Sequence, residues 1–272
     1  MKIAFLGGGN MANALIGGLI ARGFERSTIS VIEVNDAARD KLAAQHKVRV
    51  STSPDAASHE ADTLLLAVKP QDMKAALASL DADLSGKLVI SIAAGLRLAD
   101  LSRWLGGHGR MVRCMPNTPA LIGEGVAALY ALPAVSAEER KRAETILGAV
   151  GEVVWVDDEA LLDPVTAVSG SGPAYVFWFI EQLAASGEKL GLAPGVAHKL
   201  ALRTVLGAAK LAAQSGEPPG TLRERVTSKG GTTEAALKVF GKEQLAERLH
   251  RALEAASRRG AELGEQLGKD GK

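Results

Sequence analysis

The chain has 272 residues, 32 Lys and Arg against 31 Asp and Glu, a formal net charge of +1, and 47% hydrophobic residues. Such a length predicts about two domains, the apolar share excludes a disordered chain, and the balanced charge argues against a nucleic-acid footprint or a polybasic membrane surface.

Continuous apolar runs at Ile3–Leu6, Ile29–Ile32, Thr63–Val68, Lys87–Ile92 and Met111–Met115 predict strands covered on both faces. Helical patterns at Met11–Arg22, Asp36–Gln45, Asp72–Leu80 and Leu98–Leu105 alternate with them. That alternation predicts βαβ units and a parallel sheet. Tyr130–Leu132 and Val153–Val156 predict further strands, with a helix over Ala137–Val150 between them. From Asp158 onward the patterns are helical only: Asp163–Gly191, Pro194–Ser215, Thr221–Val226, Thr232–Phe240 and Glu243–Leu267. On the last of these Leu245, Leu249, Leu253, Ala256, Leu263 and Leu267 share one face. Small-residue seams and apolar stripes on more than one side favour helices that pack on several neighbours, a second subunit among them. Gly268–Lys272 reads as a charged tail. The expected organisation is an α/β domain over residues 1–157 and an all-α domain over 158–272.

Three compositional details sharpen this. Glycine is 30 of 272 residues, well above a usual share of roughly 7%, so its positions carry information. The single cysteine, Cys114, cannot form an internal disulfide and fits a reducing, cytoplasmic compartment. The apolar start Ile3–Leu6 is cut off by Gly7 too early for a signal peptide. Ala174–Ile180 stops at Glu181, far short of the ~20 apolar residues that span a bilayer, so no membrane partner is expected.

Ile3 to Ala12 reads strand, turn, helix, and its Gly7-Gly8-Gly9-Asn10-Met11-Ala12 matches the G-x-G-x-x-G/A dinucleotide fingerprint of a Rossmann domain. Gly7 permits the tight turn, Gly9 lets a pyrophosphate approach, Ala12 allows close helix packing, and the helix start around Asn10 and Met11 favours the anion. Glu33 ends the second strand and follows Ala12 by 21 residues. A carboxylate there accepts from a ribose 2′-hydroxyl and repels a 2′-phosphate, which on physical grounds leans toward NADH. Arg39 and Lys41 follow, but no Arg or Lys stands at 34–38.

Three further loops follow strands and should line the same cleft: Ala67-Val68-Lys69-Pro70, Ser91 to Gly95 with Ala93, and Met115 to Pro119 with Asn117. Lys69 could neutralise a cofactor phosphate or a substrate carboxylate. In the helical half, Ser169 to Tyr175, with Ser171, and Thr227 to Glu234, with Ser228, Lys229, Gly230, Gly231, Thr232 and Thr233, each precede a helix. Both are suited to anion binding by main-chain amides. The five histidines show no ligand spacing, so no metal is expected.

Taken together the motifs FLGGGNMA (5–12), AVKPQ (67–71), SIAAG (91–95), RCMPNTPA (113–120), VSGSGPAYVF (168–177) and TSKGGTTEAA (227–236) resemble pyrroline-5-carboxylate reductase. The resemblance covers the chain nearly end to end. It implies a Rossmann domain followed by an all-α dimerisation domain, with active sites where two subunits' helical domains interleave, in a homodimer or larger homo-oligomer. It implies reduction of the small molecule Δ1-pyrroline-5-carboxylate to L-proline, with NADPH or NADH as cofactor. Thr233 matches the family's threonine that hydrogen-bonds the ring nitrogen, and the amides around Gly230, Gly231 and Thr232 match its carboxylate loop. Many members prefer NADPH, and Glu33 departs from the polar or basic residues that often hold the 2′-phosphate.

A β-hydroxyacid dehydrogenase-like enzyme is the nearest alternative. Its G-x-G-x-x-x-K-x-x-x-N pattern would put the lysine and asparagine at Val176 and Ile180, neither of which transfers protons. A non-catalytic dinucleotide-binding regulator is the alternative from another class, and it would not need the 227–233 loop.

Overall fold

The computed structural model describes residues 1–80 and 83–269; residues 81, 82 and 270–272, and with them most of the predicted charged tail, lie outside the described part. The chain divides into two compact units, Met1–Ser171 with Ala255–Lys272, and Gly172–Glu254. The expected boundary at 157/158 follows the last strand. The first unit instead continues through Ser171 and takes in the end of the final helix.

The first unit runs β1 Ile3–Leu6, α1 Asn10–Ala21, β2 Ile29–Ile32, α2 Asp36–His46, β3 Arg49–Ser51, α3 Ala56–His59, β4 Thr63–Leu66, α4 Met73–Ala78, β5 Leu88–Ser91, α5 Leu98–Trp104, β6 Met111–Met115, β7 Gly125–Ala131, α6 Ala137–Leu147, β8 Gly151–Trp155 and α7 Leu162–Val165. The strands form one sheet in the order β3-β2-β1-β4-β5-β6-β7-β8. The apolar runs are continuous because both faces are covered. Ile3 and Phe5 enter a core with Leu15, Ile16, Leu65 and Ile90, while the alternate residues Ala4 and Leu6 enter a second core with Leu64, Leu66, Met73 and Leu101.

Two strands depart from the pattern. β3 is Arg-Val-Ser, too short and polar for an apolar run, and it is held by parallel pairing with β2. β7 begins at Gly125, five residues before the predicted strand, and pairs antiparallel with β6. No helix-length segment separates them, so the crossover that a parallel pair needs is absent.

Local signals set the helix ends. Asn35 caps α2 by accepting from Ala38 N–H at 2.9 Å. At α6 Ser136 and Glu139 exchange a capping box: the Ser136 hydroxyl accepts from Glu139 N–H at 3.2 Å and the Glu139 carboxylate from Ser136 N–H at 2.9 Å. After α7 a single π turn covers Thr166–Gly170.

The second unit holds α8 Gly172–Lys189, α9 Pro194–Ser215, α10 Pro219–Arg225, α11 Thr232–Lys242 and the start of α12, Leu245–Gly268. Pro194 opens α9, where its missing N–H costs no bond, and Gly216 ends it in the left-handed region. Large apolar side chains stay exposed along this unit, among them Phe177, Trp178, Leu200 and Leu211. Among the described residues, no helix is long and apolar enough to cross a membrane.

Candidate active site

In the first unit the carboxyl ends of β1, β2, β4, β5 and β6 face one edge of the sheet. Their order reverses between β1 and β4, where such folds bind ligands. Gly7 leaves β1 with φ +98°, a conformation that L side chains rarely adopt. A Cβ there would stand 2.8 Å from the Ala67 carbonyl oxygen, so the 7–9 and 67–68 turns touch. Gly9 is different: a Cβ on it would meet nothing within 4 Å. It caps α1 without any side-chain hydrogen bond to the helix start. The first amides of a helix have no intrahelical acceptor, so this turn offers open space above uncompensated N–H groups at Asn10 and Met11. Those are the requirements of a pyrophosphate, and the residues present fit a dinucleotide. Ala12 is fully buried behind the turn.

The other predicted cofactor residues gather on the same edge. Ala67 and Val68 are half-buried, Lys69 is exposed at the end of β4, and Pro70 opens a 3-10 turn. Ala93 is buried after β5, and its N–H donates to the Ser91 hydroxyl. Asn117 serves the scaffold: its amide oxygen accepts from Val126 N–H at 3.0 Å and its nitrogen donates to the Ser169 hydroxyl at 3.2 Å. Cys114 is buried, and burial pushes its thiol up, away from the nucleophilic thiolate form.

Glu33 directly follows β2 and is half-buried. Its Oε2 accepts from Gly8 N–H at 2.7 Å and its Oε1 from Asn35 N–H at 2.8 Å. Gly8 therefore belongs to the 7–9 turn as the donor that orients Glu33. Sequence reasoning passed over it; the signal is the middle one of three consecutive glycines, whose missing Cβ leaves room for Glu33 and Leu42.

Sequence reasoning also missed a buried charge network behind the 91–97 loop. Arg113, 3% exposed, meets Glu159 at 3.1 Å and Asp163 at 3.8 Å. Arg97 pairs with Asp163 at 3.0 Å, and Glu159 accepts from Leu98 N–H at 2.8 Å at the start of α5. The end of α12 lies on the same loop: a Cβ on Gly264 would stand 2.6 Å from the Gly95 carbonyl oxygen, and one on Gly268 would collide with Asp100.

Ser171, predicted for substrate, ends the first unit; its N–H donates to Thr166 C=O across the π turn.

The second unit carries the Thr227–Glu234 loop. Ser228 to Gly231 make a turn closed by Gly231 N–H donating to Ser228 C=O at 3.0 Å, with Gly230 at φ +73°. Glu234 folds back so that its Oε2 accepts from Gly230 N–H at 2.7 Å, while its other oxygen faces Lys238 at 3.4 Å. The amides of Gly230 and Gly231 are thus used internally. α11 is capped by Gly231 with no side-chain hydrogen bond, which leaves the first-turn amides of Thr232 and Thr233 without an intrahelical acceptor. The Thr233 side chain is half-buried beside them; Ser228, Lys229 and Thr232 are exposed. Among the described residues no cluster of three or more His, Cys, Asp or Glu side chains could hold a metal ion.

Comparison with known proteins covers both units. Residues 159–263 match the family described as pyrroline-5-carboxylate reductase dimerisation, and residues 2–95 match NADP oxidoreductase coenzyme F420-dependent. The chain is 48% identical to the pyrroline-5-carboxylate reductase of Pseudomonas aeruginosa, over 98% of each chain. Among solved structures it is similar to the pyrroline-5-carboxylate reductase of Coxiella burnetii, with 39% identity, TM-score 0.90, and 96% and 98% of the two chains covered. It is also similar to the Plasmodium falciparum enzyme with NADP bound, with 29% identity, TM-score 0.83, and 97% and 98% covered.

Proposed function

The chain belongs to the pyrroline-5-carboxylate reductase family, and from that premise we infer that it reduces Δ1-pyrroline-5-carboxylate to L-proline with NAD(P)H, the step that completes proline synthesis. It works as a homo-oligomer, the role of a dimerisation domain. We further propose a homodimer as the minimal unit, its exposed helical faces covered by a second copy, and a cytoplasmic location in keeping with one unpaired cysteine.

The substrate is a cyclic imine bearing a carboxylate. A C=N bond accepts hydride best with its nitrogen protonated, so the site must orient an iminium and hold an anion rather than supply a strong acid. In the proposed arrangement the amides of Thr232 and Thr233 at the start of α11, with Lys229 nearby on the turn, hold the substrate carboxylate. The Thr233 hydroxyl hydrogen-bonds the ring nitrogen. Bound NAD(P)H supplies the hydride. The new C–H bond forms at the imine carbon while the C=N π pair goes to nitrogen, which carries the proton taken up from solvent and leaves as the amine. Holding the two reactants in register supplies much of the acceleration. The Gly7–Ala12 turn, with Ala67, Val68, Lys69, Pro70 and Ala93, would hold the dinucleotide.

The observation that carries this assignment is an α11 start that no side chain caps, with two adjacent threonines after a turn whose Gly230 and Gly231 amides are already bonded. Thr233→Ala tests it. We expect kcat/KM for the imine to fall by more than about threefold, roughly 0.7 kcal/mol, with the fold intact. A smaller loss removes Thr233 from the mechanism.

A further inference from the structure

We propose that Glu33 is a fixed anion that makes this chain select NADH over NADPH. The proposal rests on the dinucleotide assignment of the Gly7–Ala12 turn. In that fold the adenosine ribose meets the acidic residue ending the second strand. Here that residue cannot turn aside. Both carboxylate oxygens are held by main-chain amides, Gly8 N–H at 2.7 Å and Asn35 N–H at 2.8 Å. Gly8 is buried, so rotating Glu33 away would strip a buried donor of its partner, which is costly. Each oxygen keeps a second lone-pair direction, enough to accept from ribose hydroxyls. A 2′-phosphate would instead bring a second anion against a held one.

The neighbouring cation gives no relief. Arg39 Nη1 donates to the Glu33 and Val34 carbonyl oxygens at 3.0 and 2.9 Å, and Nη2 pairs with Asp36. Reaching forward to a phosphate would break all three bonds. Residues 33–41 carry three acidic side chains, Glu33, Asp36 and Asp40, against Arg39 and Lys41, so the local charge does not favour a phosphate. The same bonds give Glu33 a second task. Because it holds the Gly8 amide, it braces the turn that receives the pyrophosphate. Removing its side chain with Glu33→Ser therefore weakens both cofactors, whereas Glu33→Gln removes the charge and keeps an oxygen for one amide.

Calorimetric titration of the purified chain with NADH and NADPH, and with adenosine 5′-monophosphate and adenosine 2′,5′-bisphosphate, tests the proposal without turnover. The expected result is NADH bound at least about tenfold more tightly than NADPH, ~1.4 kcal/mol, with the same order for the two adenosine probes. Glu33→Gln should narrow the ratio to within about threefold, mainly by strengthening NADPH. Equal or tighter NADPH binding by the unaltered chain overturns the proposal, as does an unchanged ratio in a Glu33→Gln protein that melts cooperatively. Binding of neither nucleotide overturns the dinucleotide assignment itself, an outcome distinct from loss of selectivity.

Discussion

Gly7 and Gly9 stand two residues apart in one turn, and a methyl group at each should have opposite consequences. At Gly9 the backbone has φ −66°, which any residue adopts, and a Cβ meets nothing within 4 Å. Gly9→Ala loses a little as a helix cap and gains a little by restricting the unfolded chain, each effect about 0.5–1 kcal/mol, so stability stays nearly unchanged. The added methyl occupies the space we propose for the pyrophosphate, so the dinucleotide Kd should rise at least about tenfold, ~1.4 kcal/mol. At Gly7 the φ of +98° costs a side chain about 1–2 kcal/mol. The Cβ also stands 2.8 Å from the Ala67 carbonyl oxygen, backbone that can move only by shifting β4. A total near 3 kcal/mol, at about 2–4 °C per kcal/mol for a chain this size, lowers Tm by roughly 6–12 °C. Thermal melting of the unliganded variants, paired with calorimetric titration of NADH, separates the two. A Gly9→Ala protein that melts like the parent yet binds NADH equally well would refute the assignment of that open space to a ligand.

Three further outcomes follow from the structure. Arg113→Met takes from Glu159 and Asp163 the buried cation they share, leaving Asp163 only Arg97 and Glu159 only the Leu98 amide, and urea unfolding should show a loss of about 3 kcal/mol. Glu234→Ala frees the Gly230 amide and loosens the turn before α11, so the KM for the imine should rise with kcat little changed, while Glu234→Gln, which can still accept from Gly230 N–H, stays near the parent; equal kinetics for all three would show that the contact does not shape the loop. Burial, with the Arg26 guanidinium nearby, holds the His46 imidazole below its ordinary value. The unfolded chain therefore takes up this proton at higher pH than the folded one, and stability should fall as pH drops below about 6.5. Tm measured across that range should decline less steeply in His46→Gln.

The sheet was legible where strands are buried on both faces, because Ile3–Leu6 or Thr63–Leu66 admit no polar residue facing solvent. β3 was invisible because Arg49 and Ser51 are polar and pairing with β2, not composition, makes it a strand. Gly7, Gly9 and Glu33 could be read from spacing, since each answers a local requirement of a turn or a strand end. What they touch could not. The Gly8–Glu33 bond depends on how the loop after β1 curves over β2, and the return of Glu234 to Gly230 depends on the left-handed turn that precedes α11. Asn117 was legible as a polar residue at a strand end, but its bonds to Val126 and Ser169 arise only when β7 and the π turn fold beside it. Arg113 looked like one more residue of a strand; its partners lie 46 and 50 positions away in sequence.

The most direct test of the central claim is turnover of Δ1-pyrroline-5-carboxylate by the purified chain, with loss of reduced cofactor and formation of proline followed together and the product's handedness determined. One L-proline formed per NADH or NADPH consumed, with Thr233→Ala impaired, is the predicted result. No substrate-dependent cofactor oxidation by a folded protein that binds dinucleotide would contradict it.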